Sequence, residues 1–159
     1  MKRKRIMVIG PAGCGKTTLV NALNNTVGPL RRTPDLIYGP FTMDVPASYL
    51  ENAWMYKHII AASQDASHIL LLVDQSHCRE VYSPGFARVF RCPVLGVISK
   101  CDKNKENEEC CIRQLQAIGV QPPYYKVSVP NGIGIGQLKA DLQCQIEEKG
   151  GEYEIHHRK

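Results

Sequence analysis

The stretch Gly10-Pro11-Ala12-Gly13-Cys14-Gly15-Lys16-Thr17 decides the fold. It satisfies the pattern G-x-x-x-x-G-K-[ST] without a mismatch, and it sits in the context that pattern requires. Arg5–Ile9, in front of it, is a short apolar run ending at Gly10 and reads as a strand. Lys16–Asn25, behind it, carries Leu19, Val20, Ala22 and Leu23 at helical spacing. Glycines at a strand-to-helix turn let successive backbone N–H groups face inward, and the helix start adds its positive dipole end, so the turn is a concave anion site. Lys16 is expected to reach the β- and γ-phosphates of a nucleoside triphosphate, and the Thr17 hydroxyl to ligate Mg2+.

Outward from this turn the chain alternates strands and helices. Leu36–Asp44 is β-like but interrupted by Gly39 and Pro40. Trp54–Ser63 has helical spacing. Ser67–Asp74 and Cys92–Ser99 are near-continuous apolar runs, as in strands buried on both faces. Lys105–Ile118 reads as a helix stopped by Gly119, Tyr124–Ser128 as a strand, and Gly136–Lys149 as a last helix. The order implies an α/β domain with a mostly parallel sheet and helices on both faces, ligand loops lying at the carboxyl ends of the strands. Residues 1–149 are expected to form one nucleotide-binding domain, and 150–159 a polar tail.

Composition agrees with this. The chain has 159 residues, 43% of them hydrophobic and 22% charged, an ordinary globular balance for one domain. The longest apolar run, Ile69–Val73, is far short of the roughly 20 residues a membrane-spanning helix needs. The basic N-terminus is followed by too short an apolar stretch for a secretory signal, so a cytoplasmic protein is expected. A net charge of +5 suits a phosphate-bearing ligand and gives little reason to expect a nucleic-acid partner. The seven cysteines include no C-x-x-C pair and are expected to be reduced thiols. Cys14 lies at a helix start in an electropositive loop, a setting that lowers a thiol pKa, but it is read first as a small loop filler.

A Mg2+–nucleotide site needs an acidic group at a second strand end. Asp44, in Thr42-Met43-Asp44-Val45-Pro46-Ala47, is the candidate to hold the metal through water, and Asp74, which also ends a buried strand, is its rival. Ser99-Lys100-Cys101-Asp102 follows another buried strand and resembles the [NT]-K-x-D loop of guanine-specific GTPases. In that family the aspartate accepts from the guanine N1–H and 2-amino group, and the lysine stem packs over the base; adenine offers neither donor there. Ser128-Val129 resembles the base-facing Ser-Ala loop, and Gly132-Ile133-Gly134-Ile135 the segment leading into the last helix.

These ordered matches resemble a Ras-like small GTPase over nearly the whole chain. A closer resemblance is carried by Met7-Val8-Ile9-Gly10 through Thr17-Thr18-Leu19, Arg32-Thr33-Pro34, Asp44-x-Pro46-x-Ser48-Tyr49 and Ile98-Ser99-Lys100-x-Asp102. They look like the ethanolamine/propanediol-utilisation (EutP/PduV) family of small P-loop proteins, encoded with bacterial microcompartment enzymes. The resemblance implies GTP or ATP binding with Mg2+, and microcompartment shell or enzyme proteins as partners. It makes Thr18 part of the phosphate site. It also makes Thr33 the switch threonine that senses Mg2+ and the γ-phosphate, catalytic together with Lys16. Two departures stand out. Ala47 replaces the glycine of the related D-x-P-G segment, and Ser48 stands where Ras-like proteins have a water-orienting glutamine. Slow hydrolysis is therefore expected, with Arg31 or Arg32 as possible sources of charge neutralisation. A phosphotransferase acting on a small carboxylate and a non-catalytic nucleotide-gated module are the alternatives.

Overall fold

The computed structural model describes residues 4–24, 36–38 and 41–142. The strands are β1 (Arg5–Ile9), β2 (Ile37–Tyr38), β3 (Thr42–Asp44), β4 (Ala66–Asp74), β5 (Val94–Ser99) and β6 (Tyr125–Lys126). The helices are α1 (Lys16–Asn24), the short α2 (Ser48–Glu51), α3 (Tyr56–Ala62), α4 (Glu108–Ile118) and α5, described over 135–142. The strands form one sheet in the order β2-β3-β1-β4-β5-β6. β3, β1, β4, β5 and β6 are parallel, and β2 runs antiparallel to β3. The expected α/β class and mostly parallel sheet are therefore present. The expected domain limit at 149 and the tail beyond it lie outside the described residues.

Strand alternation divides the core into two layers. Met7, Ile9, Ile69, Leu71 and Val73 face one side, where they meet Ile59 of α3 and Cys111, Leu115 and Ile118 of α4. Ile6, Val8, Leu70 and Leu72 face the other, against Leu19, Val20 and Leu23 of α1 and Leu138 and Leu142 of α5. Burial on both faces explains why these strands read as continuous apolar runs rather than alternating ones. Asn24 closes α1 onto β3: its amide donates to Thr42 Oγ1 at 2.8 Å, and its Oδ1 accepts from the Phe41 N–H at 2.9 Å.

The crossover from β4 to β5 departs from the doubly wound norm. Only a short 3-10 helix, Phe86–Val89, lies between these strands. An aromatic group fills the space: Phe86 packs on Tyr56, Tyr82 and Phe90, with ring centroids 5.1, 5.8 and 5.2 Å apart. The buried Tyr82 hydroxyl donates to Leu72 O at 2.7 Å and lies 3.3 Å from Ile9 O, joining the ends of β4 and β1. The segment expected as one helix from Trp54 to Ser63 is a 3-10 turn (Ala53–Met55), α3, and a second 3-10 turn (Ser63–Asp65). Trp54 is 66% exposed and meets His58 edge-on, with centroids 6.5 Å apart.

Candidate nucleotide site

The carboxyl ends of β1, β3, β4 and β5 gather the residues singled out in the sequence. In the turn after β1, Gly13 and Gly15 have φ of 78° and 88°, a left-handed conformation in which a Cβ is penalised. The Cys14 N–H donates to Pro11 O at 3.3 Å, and the Leu19 N–H returns to Gly15 O at 3.0 Å as α1 begins. Gly10 is needed for room: a Cβ there would lie 2.7 Å from Cys14 Sγ and 3.1 Å from Leu72 Cβ. Cys14 itself is fully buried, and that burial pushes its thiol up to about 11, outweighing the favourable charge of Lys16. Desolvation thus outweighs the acidifying position, and Cys14 sits as the small buried filler expected of it.

Lys16 Nζ lies 3.5 Å from Asp44 Oδ1, both side chains being largely buried. β3 pairs in parallel with β1, Val8 opposite Asp44, which brings the carboxylate beside the turn. Asp44 Oδ1 has no hydrogen-bond partner among the described residues. Burial raises the Asp44 pKa, and the nearby Lys16 pulls it back only in part. A desolvated carboxylate oxygen facing a lysine and lacking a closer donor fits a divalent cation, and Thr17, next to Lys16 at the start of α1, carries the hydroxyl that would join it. Asp74, the rival, is committed elsewhere. Its Oδ1 accepts from the Ser76 N–H and Oγ at 2.9 and 2.6 Å, and its Oδ2 pairs with Lys100 at 3.3 Å.

The turn after β5 is built as a stem and a tip. Lys100 adopts φ 55° and donates through Nζ to Gly13 O, so its side chain crosses from the Asp102 turn to the Gly10–Thr17 turn. Ser99 is buried and donates to Val73 O at 3.2 Å. Asp102 is exposed, and the Ser128 hydroxyl, ahead of its own backbone N–H, holds its carboxyl below the ordinary range. Ser128 and Ile133 exchange backbone hydrogen bonds of 3.0 Å, Val129 O accepts from the Gly132 N–H at 3.1 Å, and Asn131 donates to Ser128 Oγ at 3.0 Å. Gly134 is obligatory here: with φ 75°, a Cβ would fall 2.1 Å from Lys126 O.

Gln75 escaped the sequence reading. It is 1% exposed, and its amide donates to Cys101 O and Lys103 O at 3.0 and 2.8 Å, fixing the Asp102 turn from behind. Asn107 donates to Gln75 O at 3.0 Å, and Asn104 to Ser76 O at 2.8 Å. The only local hint was a glutamine directly after a buried strand. Cys78 and Cys110 form a disulfide across 32 residues, which corrects the expectation that every thiol is free. The loop after β4 lies over the start of α4, and their Cα atoms are 6.5 Å apart, within bridging reach. Cys14, Cys92, Cys101 and Cys111 are not in a disulfide.

Ala47 stands at the head of α2 with φ −58°, so the arrangement seen needs no left-handed residue at that position. Thr33, Arg31 and Arg32 lie outside the described residues. No helix among the described residues is long and apolar enough to cross a membrane.

Comparison with known proteins places this geometry. The family model described as "Ethanolamine utilisation - propanediol utilisation" matches residues 3–144. The chain belongs to this PduV–EutP family. A propanediol utilization protein PduV from Citrobacter freundii is 35% identical over 99 residues, 62% of this chain and 66% of that one. A protein named "Probable acetate kinase EutP" from Salmonella typhimurium is 29% identical over 158 residues, 96% of this chain and 99% of that one. Among solved structures, a probable GTP-binding protein EngB superimposes with a TM-score of 0.68 at 20% identity, over 91% of this chain and 99% of that one. Elongation factor SelB of Methanococcus maripaludis, in complex with a GTP analogue, gives a TM-score of 0.66 at 19% identity, over 92% of this chain and 35% of that one. The fold is that of the P-loop GTPases, and the family is that of ethanolamine and propanediol utilisation.

Proposed function

We propose that this chain binds a nucleoside triphosphate with Mg2+, prefers guanine, and hydrolyses the γ-phosphate slowly. The observation that carries the reading is the buried Lys16–Asp44 pair beside the turn of Gly13 and Gly15, with Asp44 Oδ1 left without a donor. Thr17 and Asp44, with Thr33, would hold the metal, which when bound draws charge from the phosphate oxygens. Lys16 would leave Asp44 for the β- and γ-phosphates and stabilise the charge that develops there. The N–H groups of Gly13 and of residues 15–18 would hold the α- and β-phosphates, the Cys14 N–H being bonded to Pro11 O. Asp102, kept ionised beside Ser128, offers two acceptor oxygens to the paired donors of guanine, and the Lys100 stem supports the base. Ser48 in place of a glutamine leaves the attacking water poorly oriented.

Titration calorimetry with GTP and ATP at matched Mg2+ tests this reading. GTP is expected to bind at least tenfold more tightly, and equal affinities would remove the role of Asp102. Protons compete with the metal for Asp44. Because its pKa is raised, Mg2+-dependent affinity is expected to fall on acidification at a higher pH than an ordinary carboxylate would give, and the Asp44→Asn variant should lose that dependence.

A second reading is favoured by the relative named acetate kinase, which aligns over nearly its full length. In it the γ-phosphoryl passes to a small carboxylate rather than to water. Formation of an acyl phosphate instead of free phosphate would decide for it. In either case the place of action would be ethanolamine or propanediol utilisation in the cytoplasm, at a microcompartment.

A further inference from the structure

Three consecutive residues where β4 ends grip a single turn. Asp74 Oδ2 lies 3.3 Å from Lys100 Nζ. The Gln75 N–H donates to Ser99 O at 3.0 Å, and its side chain holds Cys101 O and Lys103 O. Ser76 O accepts from Asn104 at 2.8 Å. The turn of residues 99–104, which carries Asp102, is thereby fastened to one tripeptide. The Asp74 contact differs from the others in kind. It falls on a side chain that also reaches the phosphate-binding turn, since Lys100 Nζ donates to Gly13 O. The Lys100 stem passes beside Gly15 on the way, a Cβ at Gly15 lying 4.0 Å from Lys100 Cε.

The carboxylate is held for this contact. Asp74 Oδ1 takes the Ser76 N–H and hydroxyl at 2.9 and 2.6 Å, which fixes the group and turns Oδ2 toward Lys100. The Asp74 side chain is 11% exposed, so water screens the pair only in part. Lys100 sits at φ 55°, a conformation that a residue with a Cβ keeps only where its surroundings over-determine it. Its backbone is fixed by the Cys101 N–H on Val127 O and the Lys103 N–H on Lys100 O. Its ammonium is fixed by one neutral acceptor, Gly13 O, and one charged acceptor, Asp74. The charged one is the stronger anchor, and without it the flexible stem gains freedom in water.

We propose that Asp74 is a positioning residue for the nucleoside half of the ligand. By holding Lys100 Nζ it keeps the stem stretched from the Asp102 turn to Gly13, where it supports the base. The inference rests on the nucleotide reading above and adds to it a residue that acts through Lys100. The acid set aside as a metal holder thus gains a task of its own.

The test is titration calorimetry of the full, oxidised chain with Mg2+ and GTP, ATP or inorganic tripolyphosphate, which has the phosphates and no base. Asp74→Asn should weaken the tighter nucleotide roughly tenfold, the scale of one charge-assisted hydrogen bond, and leave tripolyphosphate within about twofold. Ser76→Ala frees the carboxylate without removing its charge and should give a smaller loss of the same kind. Glu80→Gln, an exposed acid on the same loop, should give none. In a Lys100→Met background Asp74→Asn should cause no further loss, because the ammonium it acts on is gone. Denaturant unfolding of each variant is the second readout, since a merely structural role would weaken nucleotide and tripolyphosphate together, in step with stability. Equal loss of both ligands, an unchanged Asp74→Asn variant, or the same loss repeated in the Lys100→Met background would each overturn the inference. Wild type that binds nucleotide while Asp74→Asn is unchanged sinks this inference alone. Wild type that binds neither nucleotide sinks the proposed function, and this inference with it. Equal wild-type affinity for GTP and ATP removes the guanine preference, and the Asp74→Asn loss is then read on either nucleotide.

Discussion

Two loops leave adjacent parallel strands at the same edge of the sheet, and they are built by opposite means. The loop after β1 is shaped by its own backbone. Gly13 and Gly15 bend it at positive φ, the Cys14 N–H bonds back to Pro11 O, and Lys16 rests on a carboxylate from the neighbouring strand. The loop after β4 is shaped by side chains from elsewhere. Gln75 is fastened to Cys101 and Lys103, Ser76 to Asn104, Cys78 to Cys110, and Arg79 to Gln114. A loop that must present backbone to a ligand writes its requirement into consecutive residues. A loop that only has to be held in place can take its fastenings from anywhere in the chain.

The largest effect should come from removing the charge in the first loop. Under the proposed function Lys16→Ala would lose charge-assisted contacts with two phosphates, about 3 kcal/mol or roughly a hundredfold in triphosphate affinity. The fold should survive, because Lys16 is not part of either apolar layer. Calorimetry and a thermal scan read both effects, and unchanged triphosphate affinity would show that the turn does not cradle phosphate.

In the second loop the corresponding break is the disulfide. Reducing Cys78–Cys110 should lower the free energy of unfolding by about 3–4 kcal/mol, as expected for a bridge closing a loop of this span. Nucleotide affinity should change by less than about twofold. Intact mass before and after reduction, with denaturant unfolding of both forms, makes the measurement. A parallel loss of nucleotide affinity would mean that the two loops are not mechanically separate.

Gln75→Ala should cost about 2 kcal/mol of stability, about 1 for each lost hydrogen bond. It should also narrow the GTP-over-ATP ratio, because the Cys101 and Lys103 carbonyls that fix the Asp102 turn would lose their donor. A stability loss with the base ratio intact would reduce Gln75 to a packing role.

Ala47→Gly gives the smallest effect, under about 1 kcal/mol. Glycine would allow the peptide after Pro46 to turn toward a γ-phosphate. A two- to threefold rise is expected in affinity for a non-hydrolysable triphosphate relative to the diphosphate. An unchanged ratio would mean that the φ of −58° seen at Ala47 persists with triphosphate bound.

The same contrast explains what could be read in advance. The strands β1, β4 and β5 were legible because burial on both faces leaves uninterrupted apolar runs, and the turn after β1 because its motif is contiguous. The choice between Asp44 and Asp74 was not legible. Both end buried strands, and only the sheet order, with β3 beside β1, brings Asp44 to Lys16. Gln75 and the Cys78–Cys110 bridge were hidden for a related reason, since their partners lie about 30 residues away and follow no local period. For Cys14 the sequence shows the local charge and the small size of the side chain but not the burial, and burial is what sets its thiol.

The chain's single tryptophan, Trp54, sits mostly in solvent a few residues beyond Asp44 and Ala47, in the segment that joins β3 to α3. Indole emission shifts in wavelength and yield when the ring gains or loses water and neighbouring groups. With no second tryptophan to dilute the signal, the protein carries its own optical gauge. A rearrangement of that segment when the γ-phosphate arrives or leaves can be followed by stopped-flow fluorescence without attaching a dye.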